Sequence, residues 1–142
     1  MKNIRHTGIV AFDMEKALSF YRDVLGLKVE KEKVETGKFI DSLLGLTGAR
    51  VKIIKLSSED NGLIELLFHE AGPRNIRDRH ICDAGYSHVA FTVGDLDHEY
   101  GRLMEKGVKF NSRPMISPNG KAKVAYCCDF EGNVIELVQD LS

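Results

Sequence analysis

Apolar and polar positions along this chain run in two rhythms, and the sequence of rhythms comes round twice. Residues 4–11 alternate as a strand. Met14, Ala17, Leu18, Tyr21 and Leu25 then recur at the spacing of one helical face. They predict a helix over 14–25, with Asp13 as its N-cap and Gly26 just past its end. Residues 27–36 read as a strand too polar to be buried on both sides, hence an edge strand. Residues 39–44 suit either a short helix or an irregular apolar loop, broken by Gly45 and Gly48. Residues 51–57 and 63–68 are strands joined at the turn Asp60-Asn61-Gly62. A charged linker with Pro73 occupies 69–85. The order then returns: a strand at 86–93, a helix over 96–106 capped by Asp95 and closed by Gly107, and a strand from Val108. A loop bracketed by Pro114 and Pro118 follows, ending at Asn119-Gly120, then strands at 123–129 and 134–139 around the turn Glu131-Gly132-Asn133.

The repeat shows in particular residues. An offset of 82 carries His6 onto His88 and Asp13 onto Asp95. An offset of 71 carries Ile64-Glu65-Leu66 onto Ile135-Glu136-Leu137. Each half reads β-α-β-β-β, and neither is large enough to bury a core alone. The expected fold is α+β: two tandem β-α-β-β-β modules forming a cupped, half-closed barrel-like sheet with helices outside. One domain over 1–142 is expected, with modules at about 1–69 and 86–142 and the linker at about 70–85.

The repeated polar residues carry the chemistry. A single histidine in an apolar strand is usually a hydrogen-bonded core residue. Two at equivalent places are candidates for imidazole ligands, which bind metal near neutral pH. Glu65 and Glu136 each stand in the middle of an apolar strand, where an unpartnered carboxylate costs several kcal/mol or takes up a proton. The competing reading is that both glutamates face solvent from a one-sided sheet. As a set, His6, Glu65, His88 and Glu136 offer mixed nitrogen and oxygen donors to a divalent metal. Zn, Ni, Co, Mn and Fe all suit such donors, and the sequence does not choose among them.

Composition removes other classes. Hydrophobic residues make up 43%, charged residues 29%, and the formal net charge is −1, which argues against nucleic-acid and membrane-surface partners. No apolar run reaches the roughly 20 residues of a membrane span, and no secretory leader is read at the N-terminus. Cytoplasm is the expected location. Cys82, Cys127 and Cys128 show no disulfide or zinc pattern; the adjacent pair should point to opposite faces of a strand. Arg74, Arg77 and Arg79 are either a solvated charge run or a clamp for a substrate anion. Tyr126 is either a buried aromatic or a residue facing the concave side to orient substrate. His69, His80 and His98 receive no role.

These residues resemble the vicinal oxygen chelate superfamily, which includes glyoxalase I, methylmalonyl-CoA epimerase, extradiol dioxygenases and fosfomycin-resistance proteins. The resemblance spans essentially the whole chain. Its carriers are His6, the helix of residues 17–27, Glu65 in its Ile-Glu-Leu strand, the stretch 85–93 around His88, and Asp129-Phe130-Glu131-Gly132-Asn133 leading into Glu136. Phe130 stands where the family usually has proline. The resemblance implies a divalent metal, a small-molecule substrate with vicinal oxygens and a homodimer. The complete His, Glu, His, Glu set is similar to bacterial glyoxalase I, and the stretch 41–46 looks more like the epimerase-like groups. Both imply a metal-dependent isomerase, lyase or epimerase that moves a proton alpha to a carbonyl through a stabilised enolate. Glu136, then Glu65, would be the catalytic bases. The alternatives are an extradiol-type dioxygenase using Fe²⁺ and a non-catalytic ligand-binding or resistance protein on the same scaffold.

Overall fold

Both rhythms become strands and helices of two sheets in the computed structural model, which describes residues 2–71, 75 and 80–142. Internal packing divides the chain into two compact units, Met1–Arg77 and Asp78–Ser142. The first contains β1 (Thr7–Val10), α1 (Met14–Leu18), β2 (Lys28–Thr36), α2 (Lys38–Leu44), β3 (Arg50–Ser57) and β4 (Leu63–His69). Its sheet runs β1-β4-β3-β2, with β1 parallel to β4 and the other pairs antiparallel. The second contains β5 (His88–Thr92), α3 (Leu96–Glu105), β6 (Lys109–Phe110), β7 (Met115–Ile116), β8 (Ala122–Cys128) and β9 (Val134–Asp140). Its order is β5-β9-β8-β6, with β7 also paired to β8. The α+β class and the repeated plan are therefore present as two sheets, with no closed barrel among the described residues. No helix among those residues is long and apolar enough to cross a membrane.

In each unit the first strand lies parallel beside the last, at one edge of the sheet. That arrangement requires a crossover, which the helix supplies. α1 packs against β4, and α3 against β8 and β9. Alternation along β4 sends Ile64 and Leu66 to the buried side with Ile54 and Leu56 of β3. Ile135 and Leu137 of β9 join Ala125 and Cys127 of β8 in the same way. Glu65 and Glu136 are left on the opposite faces.

Two details differ from the sequence expectation, and one open alternative is decided. The helix expected over 14–25 is α-helical only to Leu18 and continues as a π-helix over Ser19–Val24. Its wider turn holds the fully buried Phe20 and Tyr21 edge to face, with ring centroids 5.0 Å apart. The loop between Pro114 and Pro118 contains β7, so the second unit has one strand more than the expected plan. β6 and β7 together take the place on β8 that β2 takes on β3. Strands of two residues are too short to display alternation. The stretch left open between helix and loop is α2, whose Ile40 joins Ala49, Val51, Ile53 and Leu67 in an apolar cluster.

The capping residues act as expected. Asp13 accepts a hydrogen bond from the Lys16 amide at 3.1 Å, and Asp95 one from the His98 amide at 3.1 Å. Gly26 and Gly107 follow the two helices with φ of 80° and 83°, where a side chain would be strained. Asp13→Ala and Asp95→Ala should each lower stability by about 1 kcal/mol, as a shift of the urea midpoint without a change in slope.

Candidate metal centre

Strand register positions the candidate ligands. Gly8 of β1 stands opposite Glu65, and Ala90 of β5 opposite Glu136. His6 and His88 lie two residues earlier, so each falls on the face of its neighbouring glutamate. Small residues at 8 and 90 keep that face open beside the carboxylate. A Cβ added at Gly8 would already come within 3.1 Å of Leu67 Cδ1.

The result is the same pair in each unit. His6 Nε2 lies 3.2 Å from Glu65 Oε2, and His88 Nε2 lies 3.0 Å from Glu136 Oε2. The carboxylates are 14% and 20% exposed, so neither is the freely solvated surface group of the competing reading. His88 is held further by Ser87, whose Oγ is 3.1 Å from Nδ1, leaving Nε2 directed at Glu136. Among the described residues, no group of three or more His, Cys, Asp or Glu that could hold a metal ion is found, so the structure brings the four expected ligands together only as two separate His–Glu pairs. Each unit therefore supplies two donors, one imidazole nitrogen and one carboxylate oxygen. An imidazole nitrogen and a carboxylate oxygen are donor types that divalent transition metals accept.

A further neighbour completes each pair. Lys55 on β3 is in register with Glu65, and its Nζ lies 3.0 Å from Oε1. Tyr126 on β8 is in register with Glu136, so its side chain lies on the same face as that carboxylate. The phenol pKa is raised, first by burial and then by the nearby Glu136 carboxylate. The Tyr126 ring also meets the His88 ring edge on, with centroids 5.3 Å apart. Of the two readings of Tyr126, the structure thus places it half-buried on the glutamate face. Lys55 was not singled out in the sequence, yet the offset of 71 that carries Glu65 onto Glu136 also carries Lys55 onto Tyr126. That coincidence was the signal for it.

The segment before Glu136 explains its own composition. Asp129 is buried, and its carboxylate accepts hydrogen bonds from the Glu131 amide at 2.9 Å, the Asn133 amide at 2.8 Å and Asn133 Nδ2 at 2.7 Å. Gly132 turns with φ of 90°. The motif is a side-chain-braced turn that delivers Val134 into β9 and so sets the register of Glu136.

Other candidates fall away from these pairs. Cys127 is buried on the face opposite Tyr126, and burial pushes its thiol up to about 12. His98 is exposed on α3 and His80 is exposed as well. His69 ends β4. Arg74, Arg77 and Arg79 lie outside the described residues.

Comparison with known proteins is consistent along the whole chain. Residues 3–137 match the model of the Glyoxalase/Bleomycin resistance protein/Dioxygenase superfamily. An uncharacterized protein of Bacillus subtilis, YurT, is 33% identical over 135 residues, covering 94% of this chain and 95% of that protein. A probable lactoylglutathione lyase of Synechocystis is 29% identical over 138 residues, 96% of this chain and 95% of its own length. The crystal structure of a glyoxalase family protein from Bacillus cereus superimposes with a TM-score of 0.89 at 25% identity, covering 100% of this chain and 96% of that one.

Proposed function

Because the chain belongs to the Glyoxalase/Bleomycin resistance protein/Dioxygenase superfamily, we propose that it is a metal-dependent isomerase, lyase or epimerase that moves a proton on the carbon next to a carbonyl. The observation that carries this is the His–Glu pair repeated at matching register in both units. His6 with Glu65, and His88 with Glu136, would each offer a nitrogen and an oxygen ligand to a divalent cation. Bound there, the cation would supply Lewis-acid polarisation of two adjacent substrate oxygens. Relatives named lactoylglutathione lyase favour the lyase branch of the reading.

The remaining work falls to the chain's own side chains. Glu136 accepts the proton from the substrate carbon at a carboxylate oxygen and returns it to a neighbouring position. His88 holds that carboxylate in place between transfers. The small residues at 8 and 90 leave room for a substrate beside the carboxylates. Val134 and Val138, on the Glu136 face of β9, keep its surroundings apolar, which strengthens each polar contact made there. A homodimer in the cytoplasm belongs to the same reading. β1 and β5 are edge strands, Ile4 and Val10 are exposed apolar residues at the first of them, and the free cysteines suit a reducing compartment.

Metal binding tests the reading directly. Adding Zn²⁺, Ni²⁺ or Co²⁺ to metal-stripped protein should raise its melting temperature, with about 4 kcal/mol of added stability at a thousandfold excess over Kd. In deuterated water the loaded protein should incorporate deuterium at the α-carbon of 2-oxoaldehyde hemithioacetals or 2-methyl-branched acyl thioesters. No metal-dependent shift would return the protein to the non-catalytic alternative. Oxygen consumption with catechols would instead establish the dioxygenase.

A further inference from the structure

β2 is the most exposed strand of the first sheet, and its charges complement one another in one particular self-pairing. Among the described residues it pairs with β3 on one side and with no strand on the other. Every residue of Lys28–Thr36 is exposed except the half-buried Glu35, and Val29 and Val34 are 37% and 45% exposed. Such a free edge presents unpaired backbone N–H and C=O groups to an incoming strand, which lysines usually repel. In β2 the lysines are interleaved with glutamates, so what they repel depends on register.

Two copies related by a twofold axis would pair this strand antiparallel with itself, each residue facing one on the same side of the sheet. The axis then passes through a residue that faces its own counterpart. Beyond the bulge between Val29 and Lys31, centring on Lys31, Glu32, Lys33 or Glu35 sets like charges directly opposite, which is destabilising. Centring on Val34 sets none. It places Val34 against Val34, Lys33 against Glu35, and Glu32 against Thr36. Lys33 and Glu35 already form an ion pair along the strand, so the two copies together carry four side chains of alternating charge at this point. Apolar surface continues beside the edge. α2 begins two residues after Thr36, packs against β2, and leaves Phe39 and Leu43 72% and 65% exposed.

We propose that β2 is a docking edge for a second copy of this chain, joined antiparallel about a twofold axis at Val34. Backbone hydrogen bonds supply the attachment, and the Lys33–Glu35 charges select the register. The partner is the same chain because the strand complements its own order of charges. The paired segment is short and its charges are exposed, so association depends on concentration and weakens with salt. The inference goes beyond the homodimer read from β1 and β5 and is independent of the metal reading. A dimer held at those edges alone ignores the charges of β2.

Sedimentation velocity of the full-length chain over a range of concentrations tests it, with Lys33→Glu, Glu35→Lys and their equimolar mixture. Lys33→Glu sets glutamate against glutamate, and Glu35→Lys sets lysine against lysine. Each alone should weaken self-association about 10-fold or more. Mixed, the two variants present only opposite charges to each other, and association should return to within about threefold of wild type. Mixing would not repair damage to the strand itself. A wild type that stays monomeric, a dimer indifferent to both substitutions, or a mixture no tighter than its components would each overturn the proposal. Should either variant fail to fold, Val34→Glu replaces the pair. Its carboxylate gains Lys52 as a register partner on β3 yet opposes its own copy across the twofold axis. It should keep the melting temperature and weaken association about 10-fold, and unchanged association would be fatal to the proposal.

Discussion

Glu136→Gln is expected to lower metal-dependent α-proton exchange by about 10²- to 10⁴-fold, the usual contribution of a positioned general base. The amide keeps the size of the side chain, and the backbone pairing of β8 and β9 does not depend on its charge. What it loses is the ability to take a proton. Melting of the metal-free variant should therefore stay close to that of the parent, and its circular dichroism should be unchanged. Glu65→Gln should behave differently. With Lys55 beside it, the change removes the charged partner of an ammonium 3.0 Å away, so its main effect should be on metal affinity. Exchange measured at saturating metal separates the two variants. Unimpaired exchange in Glu136→Gln would sink its assignment as the base.

Asp129→Ala should be the most damaging single change to the fold, at about 3 kcal/mol or more. The carboxylate is 6% exposed and accepts from two backbone amides and one side-chain amide. Alanine leaves those donors without their acceptor, and hydrogen bonds to a charged group contribute about 1.5–3 kcal/mol each before any sharing among them. Asp129→Asn keeps one oxygen for the two backbone amides but sets an N–H against Asn133 Nδ2, so it should cost less than alanine. Urea unfolding followed by circular dichroism orders the two variants. Because the turn delivers β9, Asp129→Ala should also weaken metal binding, although Asp129 is not a ligand. Retention of full stability would show that the motif does not brace the turn.

These expectations rest partly on what could be read from the chain and partly on what could not. The two halves, their helices and caps, the polar edge strand at 28–36 and the four repeated His and Glu residues were all legible. Each is signalled locally, by spacing of 2 or 3.6 residues or by a capping residue at a fixed offset. The opposite orientation of Cys127 and Cys128 followed from alternation in the same way. Membership of the family was legible because its markers are short and contiguous, as in the stretch from Asp129 to Leu137.

Lys55 was not legible, although it touches a candidate ligand. A lysine within Val-Lys-Ile-Ile-Lys-Leu reads as a solvated position, since charged residues are mostly exposed. Its pairing with Glu65 depends on how β3 and β4 are registered across their turn, and a slip of one residue would have turned it to the other face. The π-helical turn after Leu18 and the two-residue β7 were hidden for a related reason. Both are set by packing and pairing with distant residues, so no local periodicity announces them.

The sequence by itself thus determined which residue types recur and on which kind of element they sit, because periodicity and capping are properties of neighbouring residues. Only the tertiary structure decided which residues stand across from them: Gly8 and Lys55 beside Glu65, and Ala90 and Tyr126 beside Glu136. Strand register is a contact between segments far apart in the chain. Through it, a symmetric pair of glutamates in the sequence becomes an asymmetric pair in space, one facing an ammonium and the other a hydroxyl.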